Sequence, residues 1–222
     1  MNFSTDRDLL ALEPNLFADV SFLAQQRLSV TDGVLGGTTL TSATADFAAA
    51  RIDPGDVVLI AAVPHEVMSR QDAHTLTVSL LRNALSDPAI PAPASAGSGL
   101  EVIARTFAPQ AALIHDMLLH LLGIDPDAPE ADEEDIPNGV LTEDAVVSLS
   151  AMARLEALGT LERLYAAAAS LAGDNEPLWR KATWARDQFY AALHRASIRI
   201  DTDNDGRADT TRRFALANLV RV

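Results

Sequence analysis

The residues best suited to chemistry lie near the C-terminal end, in Asp201-Thr202-Asp203-Asn204-Asp205-Gly206-Arg207-Ala208-Asp209. Carboxylates at positions one, three, five and nine, with glycine at six, match the way a loop wraps a hard divalent cation. Alternate carboxylates converge only if the chain curls around the ion. Gly206 permits that turn, and the main-chain carbonyl of Arg207 would supply the oxygen at position seven. An EF-hand closes its shell with a bidentate glutamate at position twelve; Arg212 stands there. The flanks Ser197–Ile200 and Phe214–Val222 read as strands, not helices. The expectation is a strand–loop–strand hairpin holding a structural Ca2+ through Asp201, Asp203, Asp205, the Arg207 carbonyl and Asp209. The competing reading is a tight solvated turn whose acids pair with Arg207, Arg212 and Arg213.

Other reactive constellations are missing from the sequence. There is no cysteine, which excludes disulfides, thiolate zinc sites and a cysteine nucleophile. His115 and His120 are five apart, whereas a zinc-protease helix needs a spacing of four. His65, His74 and His194 have no metal-binding neighbours in sequence and read as structural or surface residues. Gly33, Gly36 and Gly37 precede a strand-like stretch and no Lys-Ser/Thr follows, so they mark turns and not a phosphate loop. No G-x-S-x-G elbow occurs. The expectation is a non-enzyme with no catalytic residues.

The elements that would carry the Asp-rich loop follow from periodicity. Thr5 with Asp8 three residues on forms a capping box for a first helix. Pro14 suits the first turn of a second, with Phe17, Val20, Ala24 and Leu28 on one face. Thr38–Ser42, Asp56–Ala62, His65–Ser69 and Thr75–Leu80 are short, β-branched runs separated by turn residues. In the last, Leu76, Val78 and Leu80 alternate with Thr75, Thr77 and Ser79. Ser86 to Gly99, with three prolines and two glycines, reads as a connector. A helix from Pro109 carries Leu113, Ile114, Met117, Leu118 and Leu121 and ends at Gly123. A long helix capped by Thr142 runs towards Ala172, with Gly159 a point where it could bend. Another opens at Asn175-Pro177, with Leu178, Ala182, Ala185, Phe189 and Leu193 on one face. The expected fold is therefore α+β: a helical body with an inserted small antiparallel β unit and a C-terminal β-hairpin. The expected divisions are N-terminal helices over 1–37, the β unit over 38–82, a linker or arm over 83–108, the helical body over 109–196 and the hairpin over 197–222.

Charge narrows the function classes. At 222 residues with 48 % hydrophobic content the chain can build a core. Its formal net charge of −14 disfavours phosphate-gripping and binding to anionic membrane surfaces. Seven carboxylates fall within Asp125–Asp135, while residues 195–222 hold six arginines against four aspartates, so an arginine-bearing end could dock on an acidic partner. The start has no apolar signal region, and the longest clean apolar run, Val57–Val63, is too short to span a bilayer. Synthesis in the cytoplasm is expected.

Several short stretches together resemble the head-to-tail connector (adaptor-type neck) proteins of tailed bacteriophages and gene transfer agents. The residues that carry the resemblance are Asp8–Phe17 with Gln25, Thr39-Leu40, Asp46-Phe47, Gly55-Asp56-Val57-Val58, Thr106–Gln110, Lys181-Ala182, and Asp203–Gly206 with Asp209 and Arg212. The strand-rich 38–82 departs from the largely helical pattern of simple adaptors. The resemblance implies a virion structural protein, assembled in the host cytoplasm, whose copies form a ring, commonly twelve-fold. Such a ring would bind the portal and other neck or tail proteins and let DNA pass through its lumen without specific binding. The alternative expectation is a calcium-stabilised binding or adhesion module.

Overall fold

The computed structural model describes residues 2–92, 97–124, 141–173, 175–203 and 205–214. They form two compact units, Thr5–Pro109, and Met1–Ser4 with Gln110–Val222. The first unit therefore sits in the chain as an insertion within the second.

The Thr5–Pro109 unit begins with α1 (Asp6–Leu12) and the single turn α2 (Leu16–Asp19). The capping box at α1 is formed: the Thr5 N–H and hydroxyl both donate to an Asp8 carboxylate oxygen, at 2.8 and 3.0 Å. Six strands follow: β1 (Gln26–Gly36), β2 (Thr39–Thr41), β3 (Val57–Ile60), β4 (Val63–Arg70), β5 (Thr75–Ser79) and β6 (Ser98–Arg105). They close into an antiparallel barrel in the order β1-β2-β5-β4-β3-β6. Leu40, Phe47, Ile52, Val58, Leu76, Val78 and Val102 fill its interior with smaller neighbours.

The expected helical body with a small inserted β unit is thus overturned. The barrel begins at Gln26 and ends at Arg105, and its two outermost strands lie where helix and linker were expected. Phe17, Val20, Ala24 and Leu28 fit a helical spacing, but Leu28 and Val30 instead alternate inward from β1. Asp32-Gly33 does not turn the chain; it lies inside β1 at an irregular register. A Cβ on Gly33 would stand 2.5 Å from Val102 Cγ2 and 2.9 Å from the Leu100 carbonyl oxygen, so β1 and β6 approach this closely only over glycine. β6 starts within the Gly- and Pro-rich connector. It pairs with β1 on one side and β3 on the other, which is the step that closes the sheet.

A buried ion network braces this unit. Glu66 on β4 is fully buried; it accepts from Arg7 Nε of α1, from Arg82 Nε at 2.5 Å and from the Arg82 N–H at 3.1 Å. Arg7 Nη2 also donates to the Arg82 carbonyl at 2.7 Å. Each partner finds several hydrogen bonds, which a buried ion pair needs to offset its desolvation.

In the second unit, α3 (Ala108–Leu122, continuing from Ala108-Pro109), α4 (Leu149–Leu171) and α5 (Glu176–Arg195) form the helices. α3 ends at Gly123, with φ +71°. Its buried face is Ala111, Ile114, His115, Leu118, Leu119 and Leu122, while Leu113 is exposed. The expected long helix from Thr142 is instead a 3-10 turn, Glu143–Ala145, followed by α4. α4 is buried around most of its circumference near Leu155–Leu161, as a central helix should be. Gly159 marks a close helix crossing, because a Cβ there would meet Ile114 Cγ2 at 2.9 Å and Phe189 Cε2 at 3.2 Å. Asn175 caps α5, its side chain accepting the Leu178 N–H at 3.3 Å. The chain then forms a two-stranded hairpin, β7 (Ile198–Ile200) and β8 (Thr210–Arg212). Its second strand precedes the expected Phe214–Val222, of which only Phe214 is among the described residues.

Candidate metal centre

The loop between β7 and β8 holds the acids singled out from sequence. Asp201, Asp203 and Asp209 each offer a carboxylate oxygen within 4.8 Å of the others, so the three could hold a metal ion. β7 and β8 bring the two ends of the loop together: Ile200 pairs with Thr210, and the Asp209 N–H donates to the Ile200 carbonyl at 3.0 Å. Asp201 is buried and anchored at its main chain, where its N–H donates to the Ala145 carbonyl at 2.8 Å. Its carboxylate accepts the N–H of Gly206 at 2.7 Å and of Asp203 at 3.3 Å. Gly206 lies at φ +82°, where an L side chain would be strained.

The acids differ electrostatically. Asp203 accepts the Asp205 N–H, which favours its charged form. Desolvation and the nearby charges of Asp205, Asp209 and Asp201 nevertheless raise its pKa above the ordinary carboxylate value. Asp209 is held below that value by the N–H and hydroxyl of Thr202, both at 2.8 Å. Of the five expected ligands, Asp201, Asp203 and Asp209 converge. Asp205 stands outside that trio and accepts the Arg207 N–H at 2.7 Å. Arg212, at the position of the EF-hand glutamate, donates to the Leu122 carbonyl at the end of α3. The acids are thus held largely by main-chain N–H groups and Thr202.

Two further groupings had no motif to announce them. One is an open surface trough on α5 lined by Glu176, Trp179, Arg180, Thr183, Trp184 and Asp187; both tryptophans are 45 % exposed. The other centres on Glu156, fully buried in α4, which accepts from Ser4 Oγ at 2.6 Å and from His115 Nδ1 at 3.0 Å. A lone glutamate inside the apolar run Leu155-Glu156-Ala157-Leu158 is the signal that could have found it. The acidic stretch Asp125–Asp135 lies outside the described residues. Among the described residues, no helix is long and apolar enough to cross a membrane.

Compared with protein-family models, curated proteins and solved structures, the chain matches none.

Proposed function

We propose that this chain is a structural, non-catalytic protein of a phage neck, forming a ring that joins portal to tail and lets DNA pass. The observation that carries the reading is the exposed face of α5. Trp179, Trp184 and Tyr190 stand out of a helix whose opposite side, Ala182, Ala185, Phe189 and Leu193, is buried. Aromatic residues interleaved with arginine are the composition of contact hot spots, and a ring needs lateral contacts between copies. The net charge of −14 supports the same reading, since a conduit for DNA must not grip phosphate. Self-repulsion at that charge opposes spontaneous closure, so the portal would template the ring. The test is the mass of the complex formed with portal. Assembly of many copies per portal ring is expected; a stable complex of one copy with one portal chain would contradict it.

The three converging aspartates favour a second element of this reading, and by themselves the alternative of a calcium-stabilised binding module. In either case the loop would hold Ca2+, which tolerates irregular oxygen shells where Mg2+ demands an octahedron. An ion among the carboxylates turns their mutual repulsion into attraction and fixes the register of β7 and β8. With three carboxylates and no glutamate at position twelve, affinity should be modest. Calorimetric titration with Ca2+ should give saturable binding that Asp203→Ala abolishes. No binding heat, with an unchanged melting temperature in chelator, would leave only a plain turn.

A further inference from the structure

The unit comprising Met1–Ser4 and Gln110–Val222 carries two exposed surfaces of different chemistry at opposite ends of α5. The first is the trough on the opening turns of that helix. Trp179 and Trp184 line it, with Glu176 towards one end and Asp187 towards the other. Both indoles are 45 % exposed. The two acids pair with neighbours on the same helix: Arg180 Nη2 lies 2.5 Å from Glu176 Oε1, and Arg186 Nε lies 3.5 Å from Asp187 Oδ1. Exposed pairs of this kind contribute little, so either acid can take a new partner at small cost.

The second surface is the outer face of the β7–β8 hairpin. Ile198 and Ile200 are buried, so the alternate positions point outward: Arg199, in register with Thr211, and Arg213 two residues further on. All three are exposed, and neither arginine has a carboxylate partner among the described residues. On a chain of net charge −14, uncompensated arginines mark where one copy attracts another instead of repelling it. The hairpin cannot reach the trough of its own chain. It is tied to the start of α4, where the Arg199 N–H donates to Ser148 Oγ at 3.1 Å and the Val147 N–H donates to the Arg199 carbonyl at 3.0 Å. The trough follows the far end of α4. Along α5, about 16 Å of helix separates Trp184 from Arg195, and about 24 Å separates Trp179 from it.

We propose that the arginine face of the hairpin of one copy seats in the tryptophan trough of the next, as a head-to-tail contact between copies of this chain. A guanidinium stacks flat on an indole and is attracted to its π-face, while Glu176 and Asp187 accept its N–H donors. Trough against trough is the poorer pairing. Packed antiparallel with Trp179 on Trp184, two α5 faces would set Glu176 against Asp187, like charge on like. Because the two surfaces differ, the contact is heterologous and continues from copy to copy until the rotation closes a ring. The contact deepens the neck reading, on which only its closing into a ring rests.

The chain has no cysteine, so thiol cross-linking reports only on thiols placed by substitution. Thr183 lines the trough and Thr211 stands beside the hairpin arginines, both exposed. The test mixes copies carrying Thr183→Cys with copies carrying Thr211→Cys and treats them with a short bismaleimide, without portal. Cross-linked dimers should exceed those of either variant alone severalfold. Adding Arg199→Glu and Arg213→Glu to the Thr211→Cys copies should return the yield to background. Thr183→Cys copies that cross-link among themselves as well as the mixture does, a mixture at background, or a yield that ignores the charge reversal would overturn the contact. Rings on a portal alongside a background yield would sink this contact and leave the neck reading standing; cross-linking with bare portal rings would do the reverse.

Discussion

A carboxylate in the first turn of a helix ordinarily favours its charge, yet Asp6 in the first turn of α1 is buried with only part of its hydrogen-bonding capacity met. One oxygen accepts the Phe107 N–H at 2.9 Å; the other has no partner. Desolvation dominates the bond from Phe107, and the charge of Asp56 adds to it, so the pKa rises from 3.8 to about 7. Within that interval the folded chain keeps a proton that the unfolded chain has lost. Stability therefore falls as pH rises from about 4 to about 7, by on the order of 4 kcal/mol, and levels off above. Asp6→Asn keeps an acceptor for Phe107 and removes the ionisation. Urea unfolding should show a flatter stability profile over this interval and greater stability than the parent at about pH 8. An unchanged profile would contradict the assignment. Nothing in the sequence marks Asp6 for this role: Asp8, two residues on, makes the legible cap, while the burial of Asp6 depends on the Phe107 segment a hundred residues away. The Asp-rich loop was more legible because its spacing is local. What spacing could not show is which acids converge, since Asp205 is held by its own neighbour Arg207.

At the scale of elements, the sheet was legible where alternation is uninterrupted, as in β5, and hidden where glycine or proline breaks the pattern, as in β1 and β6. Barrel closure is a pairing between strands about seventy residues apart in sequence, and no local period encodes it. The β3–β4 turn yields a prediction. Ile60 pairs with Val63 across a two-residue loop whose members, Ala61 and Ala62, lie at φ +48° and +65°. That turn suits Asn-Gly, and an alanine in the left-handed region costs roughly 1–2 kcal/mol. Replacing the pair with Asn-Gly should stabilise the protein by about 1 kcal/mol, read as a raised denaturation midpoint; a lowered midpoint would count against the strain. The helix crossing at Gly159 yields the opposite expectation. Gly159→Ala gains about 1 kcal/mol of helix propensity but drives a methyl into Ile114 and Phe189. Overpacking costs of ~1–3 kcal/mol should win, giving a net lower melting temperature.

For the whole molecule, charge and surface carry the argument. The decisive quantity is association. The acidic chain has an α5 face rich in exposed aromatic residues and a C-terminal loop that a cation can organise. Under the proposed neck function, a subunit of this kind would close with its neighbours around DNA; of the features that support the proposal, the acidic composition is read directly from the sequence. The aromatic face was not legible, because Trp179 and Trp184 become an exposed pair only once Ala182 and Phe189 are buried. The most direct measurement is negative-stain electron microscopy of the purified protein mixed with a purified phage portal ring, the partner that the proposed neck function requires. The account predicts closed rings of this chain stacked on the portal, with Trp179→Ala and Trp184→Ala together preventing closure. Portal rings bare of this protein at saturating concentration would contradict it.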